Sequence, residues 1–125
     1  MNIKTCCYLG LLLISASCYQ PERNCKEFQK GTFKFTSIVD GKESTTIFER
    51  QGGIEIDHYQ GKSDTSSVRW VNDCEYIVRK LHPKDLSEDK SIEMKILKTT
   101  DSSYTFEYGI IGKNKKLQGT AIRIK

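Results

Sequence analysis

The side chains that could do chemistry in this chain are few and scattered. His58 stands near the end of an alternating run from Ile54 to Tyr59, and His82 precedes Pro83 in a charged stretch. Neither histidine has a partner at metal-ligand spacing, and Cys25 and Cys74 are too far apart to form the close pair that zinc sites use. Glu55 and Asp57 lie two apart and would share one face of a strand, as a general acid and base might. Their alternation with Ile54 and Ile56 assigns them to the solvated face instead. Catalysis would need a nucleophile, a base and an orienting group brought together, and no such trio stands out. The glycines fall in turns, without the strand-loop-helix setting of a phosphate cradle. These residues therefore predict no enzyme, no metal and no cofactor. His58, on the side of Ile54 and Ile56, is the single residue best placed for chemistry.

The elements that must position these residues begin after an export signal. One positive charge at Lys4 precedes an apolar run from Cys6 to Ile14, then Ser15, Ala16, Ser17 and Cys18. Nine residues of helix rise only about 14 Å, half of the roughly 30 Å hydrocarbon core, which disfavours a permanent transmembrane helix. The run is apolar all round and leads straight into YQPERN, which argues against a buried amphipathic helix. Ala16-Ser17-Cys18 resembles a lipobox, the cleavage site after which a bacterial lipoprotein carries acyl chains on its first cysteine. Ser15 departs from the usual Leu, and Ser15 with Ser17 also suits ordinary signal peptidase cleavage. The expected layout is a signal peptide over 1–17, a tether over 18–30 lipidated at Cys18, and one β domain over 31–125.

Removal of 1–17 leaves 108 of the 125 residues, enough for a single modest core. The net charge of +4 is spread along the chain with a small excess near the end, and a solvated strand face accounts for it without nucleic acid. Five cysteines become an even pair once Cys6 and Cys7 leave with the signal and Cys18 takes lipid. In an oxidising envelope Cys25 and Cys74 then have only each other, with buried free thiols as the alternative. A disulfide closing 49 residues would contribute about 4 kcal/mol by chain-entropy reasoning.

Turn signals recur about every ten residues: Asp40-Gly41, Gly52-Gly53, Gly61-Lys62, Asn72-Asp73, His82 to Lys90, Asp101-Ser102 and Gly112 to Asn114. They imply eight strands. Between them Phe33 alternates with Phe35, Val68 with Trp70, Tyr76 with Val78, Ile92 with Met94 and Ile96, Tyr104 with Phe106 and Tyr108, and Ile122 with Ile124. The stretch HPKDLSEDK is the longest connection and reads as one helical turn and a mobile lid. Eight sequential strands predict an all-β, antiparallel up-and-down meander that closes on itself, a small lipocalin-like barrel or a strongly curled sheet. Such a barrel either packs its interior or holds one small ligand. The residues expected to face inward, and to line a pocket if one exists, are Phe33, Phe35, Phe48, His58, Trp70, Tyr76, Met94, Tyr104, Phe106 and Tyr108.

Trp70-Val71-Asn72-Asp73-Cys74-Glu75-Tyr76 reads as a clasp: an inward Trp, a reversal, the cysteine, and an inward Tyr. With Cys25-x-x-Phe28-x-x-Gly31-x-Phe33 and Phe48-x-Arg50, it resembles a family of small Bacteroidetes lipoproteins over nearly the whole mature chain. That resemblance implies a lipoprotein but carries no established activity. Some proteins of this appearance are labelled DNA topoisomerase IV. An exported chain of this size lacks the large DNA-gate or ATPase domain such a subunit needs, and its tyrosines alternate within strands.

The expected function is a lipid-anchored envelope protein whose barrel binds a small apolar ligand or a protein partner, with a purely structural or interaction module of an envelope complex as the alternative. The residue after Cys18 is Tyr19, not the aspartate of inner-membrane retention, and QPERN holds a single Glu beside an Arg rather than an acidic surface signal. By resemblance this places the anchor in the outer membrane, facing the periplasm.

Overall fold

A computed structural model describes residues 23–125. The expected signal over 1–17, the lipidated Cys18 and the tether up to 22 lie outside the described residues. Within them a 3₁₀ turn over Cys25–Phe28 is followed by eight strands: β1 (Gly31–Val39), β2 (Lys42–Gln51), β3 (Ile54–Tyr59), β4 (Lys62–Asn72), β5 (Glu75–Lys80), β6 (Ser91–Thr99), β7 (Ser103–Ile110) and β8 (Leu117–Arg123). Each strand pairs antiparallel with the next, and β1 pairs with β8 through Phe33 opposite Arg123 and Phe35 opposite Ala121. The sheet is thus a closed up-and-down barrel, the form that leaves no edge to protect.

The connections fall where the turn residues require them. Gly52 and Gly53 both have positive φ, 60° and 79°, the conformation a two-residue hairpin of right-handed twist needs and glycine adopts without steric cost. That tight turn sets Arg50 opposite Glu55 and Phe48 opposite Asp57. The connection after β5 makes a tight turn in which the Asp85 carboxylate accepts hydrogen bonds from the backbone N–H groups of Ser87 and Glu88. Arg79–Asp89 (2.9 Å) and Lys80–Glu88 (3.5 Å) pin it back to β5. No regular helix forms there.

The two ends of the barrel differ. At the end carrying the Gly52-Gly53 turn and both ends of the described chain, Phe28 and Cys25 are buried, and Phe28 packs on Phe33 (6.2 Å between ring centroids) and Tyr104 (5.3 Å). The Cys25–Cys74 disulfide holds this plug against the β4–β5 turn, with 5.2 Å between Cα atoms. Part of the segment expected to be a tether is therefore core: Phe28 lies three residues beyond Cys25, on the turn that directs it into the barrel. The strand alternation also differs from expectation in two places. On β3 Glu55 and Asp57 point inward, while Ile54 and His58 point outward, because the tight β2–β3 turn locks them opposite the inward Arg50 and Phe48. On β8 the inward residues are Gly119, Ala121 and Arg123, whereas Ile122 and Ile124 are half exposed. Small residues are required at this closing seam. A Cβ on Gly119 would sit 2.4 Å from the Phe35 ring and 3.0 Å from the Phe106 ring.

Candidate functional site in the barrel interior

The interior holds one buried cation inside a ring of aromatics. Arg50 on β2 is 2 % exposed, and its guanidinium carbon lies 4.7–5.8 Å from the ring centroids of Phe33, Phe48, Trp70, Tyr76 and Tyr104. Aromatic faces carry partial negative charge and attract a desolvated guanidinium. Its Nη2 donates to the Tyr104 hydroxyl at 2.6 Å, and Nε lies 3.6 Å from the Glu55 carboxylate. Nε and Nη1 have no hydrogen-bond acceptor among the described residues. Burial of a guanidinium costs several kcal/mol unless it is compensated. Here the compensation is the nearby carboxyl, one phenol and five ring faces.

Glu55 and Asp57 stand next to this cation on β3, two residues apart on its inward face. Burial pushes the Glu55 carboxyl up to about 8 against the pull of Arg50, and its neighbour Asp57 pushes it further. Asp57 is also raised, chiefly by burial, with Asp64 adding to the rise while Glu55, Arg50 and Lys80 oppose it. Near neutral pH Glu55 therefore holds its proton. Burial also raises the phenols of Tyr76 and Tyr104, which stay protonated.

Beyond this cluster, toward the end of the barrel opposite the plug, the interior is hollow. A cavity of about 230 Å³ is lined by Phe35, Thr46, Phe48, Glu55, Asp57, Tyr76, Val78, Ile92, Met94, Tyr104, Phe106 and Tyr108. Phe35, Asp57, Val78, Met94 and Tyr108 are only partly buried, so solvent reaches the cavity from this end. An apolar depression along β6, β7 and the β7–β8 connection shares Ile92 and Tyr108 with it. Lys80, paired with Asp64 at 3.4 Å, stands near the same end of the barrel.

Of the ten residues expected to line a pocket, Phe35, Phe48, Tyr76, Met94, Tyr104, Phe106 and Tyr108 do so. Phe33 and Trp70 instead pack around Arg50 at the plugged end, with the Trp70 ring 4.3 Å from Tyr76. His58 is corrected outright: it is exposed on the outside of the barrel, with Nδ1 2.9 Å from the Ser63 hydroxyl and Nε2 3.8 Å from the Glu49 carboxylate. Sequence reasoning missed Arg50, Glu55 and Asp57 as interior groups. The signal lay in Phe48-x-Arg50 followed by a two-residue Gly-Gly turn: once Phe48 is inward, parity puts Arg50, Glu55 and Asp57 inward too. No protein-family model matches the chain, and no curated protein is significantly similar to it.

Proposed function

We propose that this is a lipid-anchored, non-enzymatic envelope protein whose barrel holds a small ligand with an apolar body in its open half. The observation that carries the reading is the asymmetry of the interior: one end is plugged by Phe28 and stapled by Cys25–Cys74, while the other opens into an aromatic cavity. A volume of about 230 Å³ lies just under the roughly 300 Å³ at which ligand pockets usually begin, so the ligand is small. The described chain starts at the plugged end. With Cys18 carrying lipid, the six residues from it to Asn24 span at most about 21 Å. The plugged end then faces the outer membrane and the open end faces the periplasm, away from the lipid surface. The resemblance to small Bacteroidetes lipoproteins supports the anchor.

The test is native mass spectrometry of the protein recovered from its host membranes. A reproducible added mass that disappears on denaturation is expected. An empty barrel, with a reproducible protein partner found by crosslinking, would replace this reading with that of a structural module in an envelope complex. Labelled palmitate incorporation lost in Cys18→Ala tests the anchor, and protease shaving of intact cells tests the side of the membrane it faces.

A further inference from the structure

Three features of the cavity bear on what kind of molecule it takes. First, the charged side chains among its lining residues are both acids, Glu55 and Asp57, adjacent on β3. Second, half of its lining residues are aromatic, from β1, β2, β5 and β7, and aromatic rings accommodate a positive charge better than a negative one. Third, the buried cluster is one positive charge short. Arg50 is permanently cationic, and two ionised carboxyls beside it would leave a net charge of −1 on a largely buried cluster. In the empty barrel a proton on the carboxyl pair supplies the missing charge. A ligand cation seated in the cavity can supply it instead.

We infer that the cavity binds a small organic cation, an ammonium group on an apolar or aromatic body, seated against the Glu55 and Asp57 carboxyls. This deepens the ligand-binding reading above and rests on it. An anionic ligand fits the geometry less well. Phe48, Tyr76 and Tyr104 lie both against Arg50 and along the cavity wall, and Arg50 itself does not line the cavity, so an anion would meet the two carboxyls first. The volume equals that of about eight waters in the liquid, which limits the cation to roughly the size of an arylalkylamine.

The exchange has a proton balance: the ammonium enters charged, the carboxyl O–H bond breaks, and the proton leaves to solvent. Binding therefore tightens as pH rises toward the range in which the pair ionises unaided. The groups facing the pair are Arg50 from β2, Tyr76 and Lys80 from β5, Tyr104 from β7 and Asp64 from β4. The guanidinium, the ammonium and the two phenols keep their protons through neutral pH, and Asp64 is bound to Lys80, so the change in charge falls on Glu55 and Asp57.

The full chain in lipid nanodiscs is titrated calorimetrically with phenethylammonium, 2-phenylethanol and 3-phenylpropionate, in two buffers of different ionisation heat. Phenethylammonium is expected to bind at least about tenfold more tightly than the other two, a difference of about 1.4 kcal/mol, and to release close to one proton at pH 7. Asp57→Asn should remove that preference, weakening phenethylammonium binding by about tenfold toward that of 2-phenylethanol. It is the variant of choice because Glu55→Gln also disturbs Arg50. Equal or tighter binding of the alcohol or the carboxylate, or proton uptake, would overturn the cation while leaving an apolar pocket in place. Binding of none of the three would also overturn it, and the added mass on host-recovered protein then judges the pocket reading by itself.

Discussion

The two ends of this barrel are built from the same strands with the same alternation, and they come out opposite in character. At the plugged end, Phe28 enters from outside the sheet and packs on Phe33 and Tyr104, two of the rings that with Phe48, Trp70 and Tyr76 surround Arg50. At the open end the inward positions are a mixture: Phe35, Met94 and Tyr108 alongside Thr46, Asp57 and Val78. A closed eight-stranded sheet offers both ends similar room. What separates them is the extra element at one end and short or acidic side chains at the other. Close aromatic packing is concentrated around and below Arg50, and the upper half is left hollow.

The sharpest way to break that contrast is at Arg50. Truncation in Arg50→Ala leaves Glu55 and Asp57 without their cation and opens a void among five rings, and should cost about 3–5 kcal/mol in guanidinium unfolding. Arg50→Met keeps volume and the aromatic contacts, and should cost markedly less because the carboxyl pair, already holding one proton, can take up a second. If Arg50→Met proves as damaging as Arg50→Ala, charge rather than packing holds the plugged end.

These residues also show what could be read in advance. The strand number, the turn positions, the barrel closure and the Cys25–Cys74 pair follow from turn chemistry, alternation and cysteine parity, which are local or countable. The phase of β3 does not follow from hydrophobicity. Ile54 and Ile56 are the more apolar pair, yet the hairpin register puts them outside and their acidic neighbours inside. A short strand tied by a two-residue turn has no freedom to choose its own face, so tertiary register overrides pattern. At β8 the same override acts through space: the large rings of Phe35 and Phe106 select Gly119 and Ala121 at the seam and send Ile122 outward. The candidate site was legible only as a set of aromatics, because its charges sit on positions that local pattern marks as solvated.

The next effect in size is the staple. Replacing both cysteines by serine should lower stability by about 4 kcal/mol, as expected for a cross-link closing a loop of this length. The loss should be selective. Hydrogen exchange should accelerate first in 25–30 and the β4–β5 turn, where the plug is released, and far less in the strand residues around Phe35 and Tyr108.

A smaller effect, and one that distinguishes the open half, is the dependence on pH. Burial raises the Glu55 carboxyl to about 8, above its ordinary value near 4.5, so the folded state holds a proton there that the unfolded chain has lost. Between those values stability falls as pH rises, by up to about 1.4 kcal/mol per unit for a single site. Denaturation midpoints should therefore be higher at pH 6 than at pH 7.5, the reverse of what a salt-bridged carboxylate gives. Glu55→Gln, which carries no titratable proton, should flatten this slope. A slope unchanged in that variant would assign the pH dependence elsewhere.

The smallest effect is expected from Met94→Ala, and it tests the contrast from the other side. Met94 is half-buried and already borders empty space, so removing its side chain should cost under about 1 kcal/mol, well below the 2–5 kcal/mol of a fully packed methionine. Lost transfer energy is limited because solvent already reaches the side chain, and no tight cavity forms where one is already open. The substitution should nonetheless enlarge the space available to a ligand and admit bulkier arylalkyl ammonium ions than the parent does. A cost as large as that of a core methionine would mean that the open half is packed as firmly as the plugged one. The division of the barrel into a structural and a binding end would then fail.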